Sequence, residues 1–292
     1  MTAKTVGETG ENPLVPNAKL RQMYTKMLEA RLLDEATARQ AGLKGARRIA
    51  TIRGQEAVRV STTIDLGQDD LVSDPKPAAG LGLLLGGDAA SLLRGLSRAK
   101  ADHEKVLVGA GANRILRSAA DEEERLRLAV GAALALKAQR RQGIVVAYAY
   151  KEEMTRAAWR RVLAPAAKLE LPILFVVLAR KGSRKKEAQR SAAYVVARAV
   201  GVPGIPVDAC DAVALYRVTQ ESLGRTRGGD GPVLIESVGW NPESARGGHD
   251  DPLEHLKEFL LDRRICDRTW FDQADKTARK RLFHKQTASK RT

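Results

Sequence analysis

Cysteine is scarce in this chain, with two in 292 residues. Cys210 and Cys266 have neither CxxC spacing nor a histidine beside them. That argues against a zinc site and against a disulfide framework, and it suits ordinary cytosolic thiols in a cytoplasmic protein. Long apolar runs are missing too. The longest, LPILFVVL from Leu171 to Leu178, has eight residues, against the ~20 that cross a bilayer. The opening MTAKTVGETGENP carries no hydrophobic segment behind a basic start, so neither a membrane span nor secretion is expected. Histidine is limited to four residues, of which His103, His255 and His284 stand apart from one another and from carboxylate clusters. No GxSxG elbow, Walker loop or HExxH pair occurs, which removes the commonest hydrolase, nucleotide-hydrolysing and zinc-protease signatures.

What is present is a chain with 43% hydrophobic residues, long enough to bury a core without covalent staples. Fifty Lys and Arg against 35 Asp and Glu give a net charge of +15, which attracts anions of many kinds. Much of the excess sits in Arg180 to Arg190 and in the tail from Lys276 to Arg291. Neither stretch is interleaved with aromatics as a single-strand surface would be, so nucleic acid is not an expected partner.

Along the chain, residues 1–16 read as a polar flexible arm, 17–265 as the folded domain and 266–292 as a basic tail. Asn17 is positioned to cap a helix whose Leu20, Met23, Tyr24, Met27, Leu28 and Leu32 share one face. A second helix is expected near Gln55, and the Gly-rich Gly80 to Asp88 reads as a tight helix junction. From Ser118 onward, helix and strand alternate. Ser118 and Asp121 resemble a capping box, and Gly143 stands where a glycine would end the helix. A strand from Ile144 is expected to lead into a helix from about Glu152 to Leu169 that Pro165 should kink. Strand LPILFVVL, helix Glu187 to Val200, a short strand near Ile205 to Asp208, helix Ala212 to Thr226, strand PVLIES and a helix from Pro252 follow. Near-continuous apolar strands between amphipathic helices predict an α/β fold with a doubly wound, mostly parallel sheet covered on both faces.

The order and spacing of several segments carry a resemblance. They are LRQMYTKMLEARLLDE, GQEAV at Gly54 to Val58, LGQDDLV at Leu66 to Val72, AVGAALALK at Ala129 to Lys137, VVAY at Val145 to Tyr148, LPILFVV, GVPGIPVDACD at Gly201 to Asp211, and GPVLIES running on to DDPLEHL. Together they resemble the alpha subunit of thiamin-diphosphate-dependent 2-oxo acid dehydrogenases, the family of pyruvate, branched-chain and acetoin dehydrogenases. The resemblance implies the thiamin-diphosphate-binding fold, a magnesium-bound cofactor and a beta-subunit partner.

The positions that would hold that cofactor depart from the family's pattern. Matching VVAY puts the family's Gly-Asp-Gly on Tyr150, Lys151 and Glu152, and its metal-binding asparagine pair, 28 residues after Lys151, on Ala179 and Arg180. A divalent ion needs hard oxygen ligands, which Lys151, Ala179 and Arg180 do not provide. A Tyr-Arg pair that contacts the diphosphate falls on Lys76 and Pro77, and the loop before AVGAA is charged from Glu122 to Arg127. His249 is the one weak candidate for the family's active-site histidine. Gly229-Asp230-Gly231 spells the metal motif but precedes a strand, and so reads as a turn.

Three functions remain open on these residues. The first is a degenerate alpha-like protein without magnesium-thiamin diphosphate that pairs with a beta-like subunit or with itself. The second is an active oxidoreductase subunit that uses thiamin diphosphate and magnesium held with a beta partner. The third is a metal-free anion module built on Lys151, Arg180 and Lys181 at adjacent strand ends.

Overall fold

The computed structural model describes residues 15–43, 50–98, 114–116, 119, 121–178, 192–239 and 251–283. The elements run α1 (Asn17–Leu43), α2 (Glu56–Thr63), β1 (Leu71–Ser73), α3 (Ala79–Leu84), α4 (Ala89–Arg98), α5 (Glu122–Ala138), β2 (Val145–Tyr150) and a 3-10 turn (Lys151–Glu153). Then come α6 (Arg156–Lys168), β3 (Ile173–Leu178), α7 (Ala193–Arg198), β4 (Gly204–Asp208), α8 (Ala212–Arg227), β5 (Val233–Val238), α9 (Pro252–Asp262) and α10 (Arg268–Phe283). The five strands form one sheet in the order β1-β2-β3-β5-β4, and every pairing is parallel.

Alternation along the strands feeds two cores. Val146, Tyr148 and Tyr150 of β2, with Leu174, Val176 and Leu178 of β3, join the face covered by α1 to α4 and α8 to α10. Val145, Ala147 and Ala149, with Ile173, Phe175 and Val177, join the other face under α5, α6 and α7. A strand buried on both sides needs apolar residues at every position, which is why these segments read as continuous runs. The expected doubly wound fold is therefore present, with β2, β3 and β5 central.

Several local expectations change. The start of α5 is capped by Asp121 itself, whose carboxylate accepts the Glu124 N–H at 2.9 Å. Its end falls at Ala138, where Arg140 takes the left-handed backbone (φ 53°) expected of Gly143. Gly143 serves a different need, because a Cβ there would collide with the Asp69 carbonyl. The helix expected from Glu152 begins at Arg156, capped by the Thr155 hydroxyl on the Ala158 N–H at 3.1 Å. Pro165 sits in its last turn, close to the end at Lys168. Strand β1 went unread in the sequence because three residues carry too little pattern. Of helix Glu187 to Val200, residues 187–191 lie outside the described residues.

Packing carries the core beyond both domain boundaries expected from sequence. Val15 is fully buried, and α10 presents Phe271, Ala278 and Leu282 to the main core. Its basic residues obscured that apolar stripe, because charge dominates the composition while only every third or fourth residue decides burial.

Candidate functional site

In a parallel sheet all carboxyl ends share one edge, and there open α/β folds bind ligands. The structure brings Lys76 and Pro77, which follow β1, to the same edge as Tyr150, Lys151 and Glu152, which close and follow β2. Lys76 is exposed and Pro77 buried, and the Lys76 N–H is held by the Asp74 carboxylate at 2.7 Å. Ala179, Arg180 and Lys181 follow β3 in the chain, but with His249 they lie outside the described residues. Gly229 and Gly231, both at positive φ (93° and 86°), form the expected turn at the opposite edge, leading into β5.

Lys151 is paired. Its ammonium lies 3.1 Å from Oε1 of Glu236, a wholly buried carboxylate on β5, and it is itself only 15% exposed. Glu236 also accepts the Tyr194 N–H at 2.9 Å, which ties the start of α7 to the same carboxylate. A cation thus neutralises the buried acid at the strand edge.

Next to this pair stands a polar cluster that the sequence reading missed. Because β1 is so short, the outer edge of β2 loses its strand partner after Ala147, and a buried strand edge must satisfy its backbone groups otherwise. Side chains from the first turn of α5 supply the bonds. Arg125 donates to the Tyr148 carbonyl and to the Ser73 hydroxyl, and Glu122 accepts the Tyr150 N–H at 3.0 Å. Arg125 and Glu122 also pair with each other at 2.9 Å. The segment Glu122 to Arg127 is therefore the opening turn of a helix, where its acids also favour the helix dipole.

On the other sheet face, Arg59 of α2 pairs with Asp74, and its guanidinium lies 4.0 Å from the centroid of the Tyr148 ring. The Tyr148 hydroxyl is 2.5 Å from the Thr62 hydroxyl. Burial pushes the Arg59 guanidinium below its usual pKa, and burial likewise pushes the Tyr148 phenol up. A sequence signal for these residues existed only in part: Arg59 follows the GQEAV segment, but nothing local shows that every residue of α2 is buried.

A second network fastens the helical layer. Arg31 of α1 binds Glu56 at 2.6 Å and grips Asp251 through two bonds of 2.8 and 2.9 Å, while Asp251 caps α9. Asp34 is buried with no cation paired to it among the described residues, and it accepts the N–H groups of Ile52 and Gly80 at 2.7 and 2.6 Å. Burial pushes its carboxyl up to about 6. These groups join elements to one another.

Thiamin diphosphate with magnesium is the group that the resemblance implies. Where it places the metal-binding carboxylate, the chain has an ammonium already engaged by Glu236, so the described residues do not fit the cofactor.

An all-parallel sheet covered by helices on both faces defines an open, doubly wound α/β protein. A family model for the dehydrogenase E1 component matches residues 24–292, and the chain belongs to that family. It is 32% identical over 133 residues to the pyruvate dehydrogenase E1 component subunit alpha of Staphylococcus aureus, a stretch covering 44% of this chain and 35% of that protein. To the 3-methyl-2-oxobutanoate dehydrogenase subunit alpha of Mycobacterium tuberculosis it is 32% identical over 142 residues, 46% of this chain and 38% of the relative. To the alpha subunit of pyruvate dehydrogenase from Porphyra purpurea it is 31% identical over 116 residues, 33% and 34% of the two chains. The matched stretches thus span little more than a third of each relative's length.

Proposed function

We propose that this chain is a degenerate alpha-like member of the dehydrogenase E1 family that keeps the fold, has lost magnesium-thiamin diphosphate, and acts as a structural or regulatory partner. The observation that carries the reading is the Lys151–Glu236 pair. A divalent ion at that edge would face an ammonium in place of a carboxylate, and exposing Glu236 to it would first require breaking a buried ion pair. Loss of two charge-assisted contacts costs about 3 to 6 kcal/mol, or roughly two to four orders of magnitude in affinity.

The partner that suits this reading is a beta-like subunit or a second copy. Leu128 and Leu134 of α5 are 51% and 44% exposed, and an apolar helix face of that kind is commonly covered in an assembly. Two free, buried cysteines fit a reducing compartment such as the cytoplasm. The anion-module reading is weakened because the charge of Lys151 is already used by Glu236.

Calorimetric titration with thiamin diphosphate at millimolar magnesium tests the proposal, alone and with any co-purifying beta-like chain. The unmodified protein is expected to show no binding. Binding is expected to appear only when Tyr150→Gly, Lys151→Asp and Glu152→Gly are combined with Ala179→Asn and Arg180→Asn. Micromolar binding by the unmodified chain would instead establish the active-subunit reading.

A further inference from the structure

The turn between α9 and α10 packs against α1 around an open cavity of about 740 Å³, lined by Arg21, Leu261, Arg264, Ile265, Cys266, Asp267, Arg268 and Trp270. Its volume falls in the roughly 300–1,000 Å³ range of small-molecule sites. Three arginines face one acid, Asp267, whose carboxylate accepts the Trp270 backbone N–H at 2.8 Å. Arg21 braces the wall by donating to the Ile265 carbonyl at 2.7 Å.

Several other cations of α9 and α10 are spent on carboxylates. Arg279 pairs with Asp275, Lys257 with Glu254 and Arg281 with Glu29. Among the described residues Arg264 and Arg268 pair with no carboxylate, and both are exposed on the rim. The cavity also lies where α10, a helix of 16 residues, begins, so its dipole adds to the positive potential. Trp270 is half-buried and lines the cavity beside the apolar Leu261 and Ile265.

We infer that this cavity binds a phosphorylated ligand bearing a flat ring, of the nucleotide class, with Arg264 and Arg268 on the phosphate and Trp270 beside the ring. The arginine fork matches phosphate oxygens in pairs, and both arginine and indole stack on planar rings. The three lining arginines outweigh Asp267 by two positive charges, which suits a phosphate group carrying about two negative charges or more. Cys266 has no chemical part, because burial pushes its thiol up and leaves it protonated. None of these residues belongs to the strand-edge cluster, so the inference stands apart from the loss of the dehydrogenase cofactor.

The test uses the full chain at low ionic strength, titrated by calorimetry with a nucleoside diphosphate, with inorganic pyrophosphate and with the uncharged nucleoside. The diphosphate should bind saturably, pyrophosphate several-fold more weakly and the nucleoside not detectably. The exposed double variant Arg264→Ala/Arg268→Ala should lose at least about tenfold in affinity, with an unchanged circular dichroism spectrum. The ligand series reads the ring contribution without disturbing Trp270, which also packs on Tyr24 and Phe271. Absence of binding at millimolar ligand, or equal affinity in the double variant, would overturn the site. Equal binding of pyrophosphate and diphosphate would overturn recognition of the ring.

Discussion

At the amino edge of the sheet, Arg141 pairs with Asp69, and Lys137 lies 3.7 Å from Glu170, all with side chains 45% or more exposed. At the carboxyl edge, Arg59, Asp74, Arg125 and Glu236 are at most 1% exposed. The same pairing chemistry therefore has different consequences at the two edges. An exposed pair gains little, since water already solvates both ions. A buried pair has given up that hydration, so removing either partner leaves a charge that nothing solvates. In a family expected to place a cofactor at the carboxyl edge, this chain has there a set of mutually neutralised side chains that also complete the edge of β2.

The largest effect should come from Asp74→Asn. It leaves Arg59 buried with its charge unmatched, and the Arg59 Nε has no hydrogen-bond partner. We expect a loss of about 3 to 5 kcal/mol in urea unfolding; a loss below ~1 kcal/mol would mean that water reaches this edge and the contrast with the amino edge is unfounded.

Next is a pH effect away from both edges. Burial raises the Asp34 carboxyl from 3.8 to about 6, so the folded state binds this proton more tightly than the unfolded state does. The stability that its protonation contributes is fully present below about pH 4 and is lost as pH rises through 6. Between pH 4 and pH 7 the stability of the native protein relative to Asp34→Asn should fall by roughly 2 kcal/mol. Chemical denaturation of both proteins at pH 4 and pH 7 measures it, and a pH-independent difference would contradict it.

Lys151→Met should cost about 2 kcal/mol, less than Asp74→Asn because Lys151 keeps some access to water. Combining it with Glu236→Gln should recover most of the loss. Additive losses in the double-mutant cycle would show that the two groups do not depend on each other. The smallest effect belongs to the amino edge, where Arg141→Ala should change stability by no more than about 0.5 kcal/mol. A loss comparable to that of Asp74→Asn would erase the distinction between the edges.

Much of the fold was legible because its signals are local and periodic. The buried face of α1 was read from Leu20, Met23, Tyr24, Met27, Leu28 and Leu32, all of which are buried. The central strands were read from apolar continuity, which burial on two faces demands. Of the candidate site, the place of Lys151 at the carboxyl end of a strand was legible, because the apolar run before it marks that strand. Less was legible about helix ends. Arg140 replaces the expected glycine, and Gly143 is needed for close approach to Asp69, a contact across the fold that no local pattern encodes.

The sequence by itself determined that a lysine, Lys151, follows the apolar run of β2, where the resemblance implies a carboxylate. Only the tertiary structure decided what that lysine does instead. Lys151 reads from sequence as a cation at a strand end with Glu152 and Glu153 beside it, and it becomes the counter-ion of Glu236 because β2 and β5 end at the same edge of the sheet. Arg125 reads from sequence as part of a charged loop before AVGAA, and Arg59 only as the residue after GQEAV. They are buried because the short β1 leaves the edge of β2 unpaired and Asp74 without another counter-ion. Periodicity reports which face of an element is apolar, whereas the partner of a buried charge depends on distances between elements that only packing fixes.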